Sequence, residues 1–149
     1  YNGSNFDLPM ANNILQRQAF TIPHIDCLRF IRHYFPDVRG FLGGKTLGEM
    51  HHVFLNRTLD GAHGAQADVI GTLDLLRALQ IKAGVTLAQL ASEQTIARPY
   101  LFMPLGKYVG LPISEVPYSW AKFMSTKSLD PDLRATVDAI MNRPYGSTA

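Results

Sequence analysis

The sequence predicts a protein of the α/β class, with a larger N-terminal part and a small α+β module at residues 100–149. Three observations support this prediction. Apolar residues repeat at helical spacing in several segments, a short stretch around Ile25 has the composition of a strand, and the residue pattern changes after Gly84. We therefore expect one domain at residues 1–84, followed by a helix and linker at residues 85–99.

The composition is that of an ordinary globular chain. Of the 149 residues, 46% are apolar and 17% are charged, so disorder is not expected. The net charge of +2 favours anionic partners only weakly. No apolar run approaches the roughly 18 residues of a membrane span, so we expect no membrane partner. The single cysteine, Cys27, cannot form an internal disulfide, which favours a reducing compartment such as the cytoplasm.

Turn-forming residues open the chain and precede an acidic residue at a predicted helix start. Phe6, Met10 and Ile14 repeat every four residues and predict the inward face of a helix that ends near Gln18. Asp7 is therefore expected at the N-terminal end of this helix.

A short strand, a second helix and a third helix are predicted next. Residues 19–27 are interpreted as a loop leading into a strand, where Cys27 is a small buried apolar residue. An amphipathic helix follows at residues 28–35 and ends at Pro36. Thr46 and Glu49 have the spacing of a capping box, which predicts a helix through residue 55.

Two adjacent histidines, His51 and His52, lie in the third predicted helix. Neighbouring residues of a helix point about 100° apart, so these two side chains cannot jointly bind one ion. We expect both at the surface.

A histidine precedes an aspartate by five residues at the start of the longest predicted helix, residues 69–82. On one continuous helix, His63 and Asp68 would be separated by about 140°, so one of them must lie outside it. Gly61 and Gly64 flank the histidine and predict a loop. A loop histidine and a first-turn aspartate suit a general base beside a metal-bound carboxylate. Alternatively, they are a helix-entry histidine and a solvated acid.

The C-terminal module combines aromatic and basic residues. A helix is expected from residue 131 to residue 141, with Pro131 at its first position. Between residues 98 and 127 there are four basic residues, one acid and six aromatics. Such a surface suits a single-stranded nucleic acid. Trp120 and Phe123 are predicted core residues, whereas Lys107 and Tyr108 are predicted nucleic-acid contacts.

Two stretches of the chain carry motifs with a family-like order and separation. Asn2, Gly3, Phe6 and Asp7 match the pattern His-Asn-Gly-x-x-Phe-Asp, with Tyr1 in place of the histidine. Residues 63–68 match the pattern His-x-x-x-x-Asp. The chain thereby resembles the DEDDh family of 3'-to-5' exonucleases. Residues 102–120 resemble the small Gly-Lys-Tyr module that follows some exonuclease X-like domains, although Leu105 replaces the usual phenylalanine. Resemblance to this module further implies two short strands around Gly110 and a helix from Tyr118.

The resemblance implies a metal-dependent site. Asp7 and Asp68 would bind two Mg²⁺ or Mn²⁺ ions, and His63 would be the general base that takes a proton from water. Asn2 and Phe6 would contact the substrate. The resemblance further implies that the acid of Ile25-Asp26-Cys27 caps the next helix instead of binding metal.

One motif of the family is missing. No Asp-x-Glu, which supplies the other two acidic ligands, occurs in the 149 residues, and the chain opens without methionine. The resemblance therefore implies the later part of a ribonuclease-H-like exonuclease fold, a mixed sheet with helices, whose first three strands precede Tyr1. Alternatively, the protein lacks these strands and is not a nuclease, or a separate chain supplies them.

The expected function is 3'-to-5' hydrolysis of nucleic-acid ends, with DNA favoured over RNA. The alternative is a non-catalytic nucleic-acid-binding or assembly subunit with an exonuclease-like fold. A second copy of the chain, a polymerase or a repair protein are the protein partners that the resemblance leaves open.

Overall fold

The computed structural model describes Met10, Asn13 and residues 24–36, 46–59 and 64–143. Most of the first predicted helix lies outside these residues. Met10 and Asn13 have helical backbone, but the Met10 side chain is 51% exposed, so its predicted inward position is wrong.

The described residues are helical, which contradicts the predicted mixed sheet. Helices hold 64% of them and strand geometry only 2%, with no sheet in this part of the chain. Besides the helical Met10 and Asn13, the described residues form six α-helices and two short 3₁₀ helices, in the order α1 Cys27–Tyr34, α2 Leu47–Leu55, α3 Ala65–Ala83, α4 Leu87–Glu93, η1 Gly106–Tyr108, η2 Ile113–Glu115, α5 Tyr118–Ser125 and α6 Pro131–Met141.

Asp26 explains why no strand forms in the described part of residues 19–27. Its carboxylate accepts hydrogen bonds from the backbone amides of Leu28 and Arg29, at 3.0 and 3.1 Å. These amides belong to the first turn of α1 and have no partner within the helix, so the cap starts the helix at Cys27. Cys27 is buried as predicted, but it lies in a helix and not in a strand.

The two strands predicted around Gly110 are reduced to one antiparallel bridge between Phe102 and Pro112. Gly106 and Gly110 have φ angles of 75° and 77°, which turn the chain sharply on both sides of η1. Pro112 has no amide hydrogen, so a longer ladder of hydrogen bonds cannot form there.

The described residues up to Ile96, apart from Pro36, belong to one compact unit in which α1 and α2 pack against α3. The Phe35 and Phe54 rings meet edge to face at 5.2 Å. Fully buried side chains form the core, namely Phe30, Ile31, Met50, Leu75, Leu79 and Leu90.

The predicted capping box of Thr46 and Glu49 is confirmed at the start of α2. Thr86 forms a second capping box with Gln89 at the start of α4. α3 ends at Ala83, one residue beyond the predicted end, with Gly84 as its C-cap. None of the described helices is long and apolar enough to cross a membrane.

His51 is buried, so the prediction that it lies at the surface is wrong. Only 4% of the residue is exposed, and its Nε2 lies 2.7 Å from the Gly71 carbonyl oxygen on α3. Gly71 permits this approach, because a Cβ there would lie 3.3 Å from the same nitrogen and 2.7 Å from Leu59 Cδ1. His52, by contrast, is exposed as predicted.

Replacing His51 by alanine is expected to lower the free energy of unfolding by about 1–3 kcal/mol, since a buried bond between α2 and α3 is lost and a cavity remains. Urea denaturation followed by circular dichroism measures the change. His52→Ala is the matched control and should stay within about 0.5 kcal/mol of the wild type. Equal stabilities of the two variants would contradict a structural role of His51.

Residues 97–143 belong to a second compact unit with its own core. α5 packs against α6, and η2 also contacts α6. The helix from Pro131 to Met141 is confirmed, with Asp130 as its N-cap. The buried residues of this core are Met103, Val116, Ala121, Leu133, Val137 and Ile140.

Candidate functional site

Asp68 lies in the first turn of α3, where the sequence predicted it. Gly64 is the N-cap and offers no side-chain hydrogen bond to the helix. The Asp68 carboxylate lies near the positive end of the helix dipole. Asp68 is partly buried, and small residues, Gly64, Ala65 and Ala67, surround it in sequence. A carboxylate in this setting is a suitable oxygen ligand for Mg²⁺ or Mn²⁺.

Most partners predicted for Asp68 lie outside the described residues. These are the predicted base His63, the second ligand Asp7, and the substrate contacts Asn2 and Phe6. Within the described ranges, no three His, Cys, Asp or Glu side chains come together as a metal site. The predicted convergence of Asp7, His63 and Asp68 therefore stays a prediction.

Asp26 is a helix cap, as the sequence predicted. The residue is 2% exposed, and its carboxylate oxygen Oδ1 accepts both amide hydrogen bonds at the start of α1. Its own backbone amide donates to the Gln94 side chain at 3.2 Å. These contacts account for the presence of a buried acid here without a metal ion.

Asp26→Ala is expected to lower the free energy of unfolding by about 1 kcal/mol, with a range of about 0.5–2 kcal/mol, because the cap is lost. Asp26→Asn keeps an acceptor oxygen and should retain most of the stability. Thermal or urea unfolding measures both variants. If Asp26→Asn is as unstable as Asp26→Ala, the carboxylate acts through its charge and not as a cap.

The second predicted contact surface lies in residues 97–143. Lys107 is exposed in η1, and its Nζ lies 5.4 Å from the centre of the Tyr108 ring. Tyr108 is partly buried and meets Trp120 edge to face at 5.9 Å. The structure thus brings Lys107 and Tyr108 together, and Tyr108 is held in place by α5.

Of the two aromatic residues predicted in the module core, only one packs there. Trp120 is partly buried against the core, as predicted. Phe123 is 60% exposed, so its predicted core position is wrong. The Lys127 ammonium lies 4.7 Å from the centre of the Phe123 ring, which is a cation–π geometry. The spacing of four residues between them was the sequence signal for this pair.

Cys27 is the only thiol of the chain and is fully buried in α1. Burial raises the pKa of this thiol to about 11, because an apolar environment disfavours the thiolate. Asp26 contributes in the same direction. Cys27 is thus a packing residue without the thiolate character that a nucleophile or metal ligand needs.

Comparison of the chain with protein-family models, with curated proteins and with solved structures found no match.

Proposed function

We propose that this protein is a metal-dependent 3'-to-5' exonuclease that hydrolyses phosphodiester bonds at nucleic-acid 3' ends, with DNA favoured over RNA. One observation carries the proposal. Asp68 occupies the first turn of a 19-residue helix, five residues after a histidine that glycines flank. The proposal depends on the order of Asp7, His63 and Asp68 along the chain. The helical architecture of the described residues adds no support for an exonuclease.

Each predicted residue has a distinct role in this proposal. Asp68 and Asp7 would hold two Mg²⁺ or Mn²⁺ ions, which would supply the positive charge that stabilises the transition state of phosphodiester hydrolysis. His63 takes a proton from the attacking water, and an imidazole, whose ordinary pKa is about 6.5, accepts protons at neutral pH. Asn2 and Phe6 orient the terminal nucleotide.

Residues distant from these motifs along the sequence support a nucleic-acid partner. Lys107 is exposed, and Tyr108 is held beside it by Trp120, so a phosphate and a sugar or base can be bound side by side. The proposal includes a cytoplasmic, reducing location, which suits the single buried Cys27. A second copy of the chain, a polymerase or a repair protein are the proposed protein partners.

A non-catalytic nucleic-acid-binding or assembly subunit is the second candidate. The absence of any Asp-x-Glu from the 149 residues favours it, because two acidic ligands of the resembled family are then unaccounted for. This subunit would bind nucleic acid and leave it intact.

Incubation of a 3'-labelled oligonucleotide with the protein of the complete reading frame, with and without Mn²⁺, separates the two candidates. Release of labelled mononucleotide only with metal supports the exonuclease. Binding of the oligonucleotide without release, at every metal concentration, supports the second candidate and rejects the first.

A further inference from the structure

The exposed side of α5 carries aromatic and basic side chains together. Tyr118, Lys122 and Phe123 are exposed there, while Ala121 on the other side is buried in the core. Lys127 follows the helix and places its ammonium over the Phe123 ring. We call Lys107, Lys122, Phe123 and Lys127 the aromatic–lysine surface.

The module contains two lysine–aromatic pairs, Lys107 with Tyr108 and Lys127 with Phe123. The Tyr108 ring contacts the Trp120 ring of α5. Phe123 follows Trp120 by three residues, a spacing that makes residues neighbours on a helix surface. Both pairs therefore belong to the part of the module that includes α5.

The cationic residues of this unit are divided between structural and solvent-facing roles. Arg134 donates to the carbonyl oxygens of Ser125 and Lys127, at 2.9 and 2.6 Å, and so ties the end of α5 to α6. Arg143 donates to the carbonyl oxygens of Ser114 and Val116. The lysines of the aromatic–lysine surface are exposed and have no ion pair in the part of the chain that the structure describes. Their charge is available to an anionic ligand.

Few acidic residues accompany these lysines in the sequence, since the one acid between residues 98 and 127 is Glu115. Beyond it, Asp130 caps α6, Asp132 is buried and Asp138 is exposed on α6. An anion approaching α5 therefore meets exposed lysines beside the exposed Phe123 ring, and Arg134 fixes the backbone that follows this ring.

We propose that the aromatic–lysine surface binds single-stranded nucleic acid, with a base stacked on Phe123 and phosphates paired with Lys107, Lys122 and Lys127. A base offers its ring face to a protein only when it is unstacked, which favours a single strand over a duplex. This proposal deepens the proposed exonuclease function and rests on it for the class of ligand. It adds that the nucleic acid is held as a single strand.

Fluorescence anisotropy with a labelled oligothymidylate of about 12 nucleotides tests the proposal. EDTA in the buffer keeps hydrolysis from occurring, so the result is independent of whether the protein is an exonuclease. The complete chain is compared as wild type, Phe123→Ala, Phe123→Tyr and Leu101→Ala. Leu101 is the matched control, because it is 63% exposed in the same unit.

Phe123→Ala is expected to weaken binding about tenfold, while Phe123→Tyr and Leu101→Ala bind like the wild type. Lys127→Ala should weaken binding and reduce the slope of log affinity against log salt by about 0.7. A hairpin duplex of the same length should bind more weakly than the single strand. Phe123 is exposed, so its truncation leaves no cavity, and unchanged thermal unfolding confirms that the variant folds.

Three results would overturn the proposal. In the first, Phe123→Ala binds the oligonucleotide as tightly as Leu101→Ala does. In the second, the duplex binds at least as well as the single strand, which would assign the surface to duplex backbone. In the third, poly-glutamate at the same charge concentration displaces the oligonucleotide fully, which would assign the surface to an acidic protein partner.

Discussion

His63→Ala is expected to lower the turnover of the proposed exonuclease by about 10²-fold or more, because the attacking water then has no general base. Metal and nucleic-acid binding should stay close to the wild type, since neither depends on the imidazole. Single-turnover release of mononucleotide from a 3'-labelled oligonucleotide measures the chemical step, and anisotropy in EDTA measures binding.

His52→Ala provides the control for this measurement. His52 is exposed on α2, so its removal tests whether the loss of any histidine affects turnover. Activity should also rise with pH through the titration of His63 in the wild type and lose that dependence in His63→Ala. Turnover in His63→Ala equal to that in His52→Ala would remove His63 from the mechanism.

Asp68→Asn is expected to reduce metal-dependent turnover by at least about 10²-fold, because even residues that only support a metal ligand contribute about 10–100-fold. Asparagine has nearly the same shape as aspartate but carries no charge, and the carboxylate is the metal ligand in our proposal. The activity should recover in part at high Mn²⁺ concentration, because weaker binding is offset by mass action.

Asp74→Asn is the matched control on the same helix. Asp74 lies six residues further along α3, where its carboxylate is 3.9 Å from the exposed Arg77. A surface pair of this kind contributes little to stability, so Asp74→Asn should retain wild-type turnover. If both variants lose the same activity, the effect comes from the charge of α3 and not from a metal ligand at Asp68.

The local starts of the helices could be predicted from the sequence. Thr46 with Glu49 and Thr86 with Gln89 form capping boxes, and Asp26 and Asp130 cap α1 and α6. A cap joins a side chain to amides two or three residues away, so the sequence alone contains both partners. A different local signal, the glycines at positions 61 and 64, placed Asp68 in the first turn of α3.

The predicted sheet is wrong because, unlike a cap, a strand depends on residues that are distant in the sequence. A strand needs a partner elsewhere in the chain, and the described residues offer one bridge between Phe102 and Pro112. The predicted strand before α1 depended on the resemblance and on the apolar residues at 22 and 25. In the structure a helix begins here instead of the strand, because Asp26 caps α1 and no segment of the described ranges pairs with this stretch.

By itself, the sequence determined where α2 and α6 begin and that Cys27 and Trp120 pack inside. Only the tertiary structure decided which apolar side chains of α3 are buried, since Leu75 and Leu79 are buried while Val69, Ile70 and Leu73 are about half exposed. It likewise buried His51 against Gly71 and left Phe123 in solvent beside Lys127. The physical reason is that burial depends on neighbours far away in the chain, whereas a helix cap depends on residues within one turn.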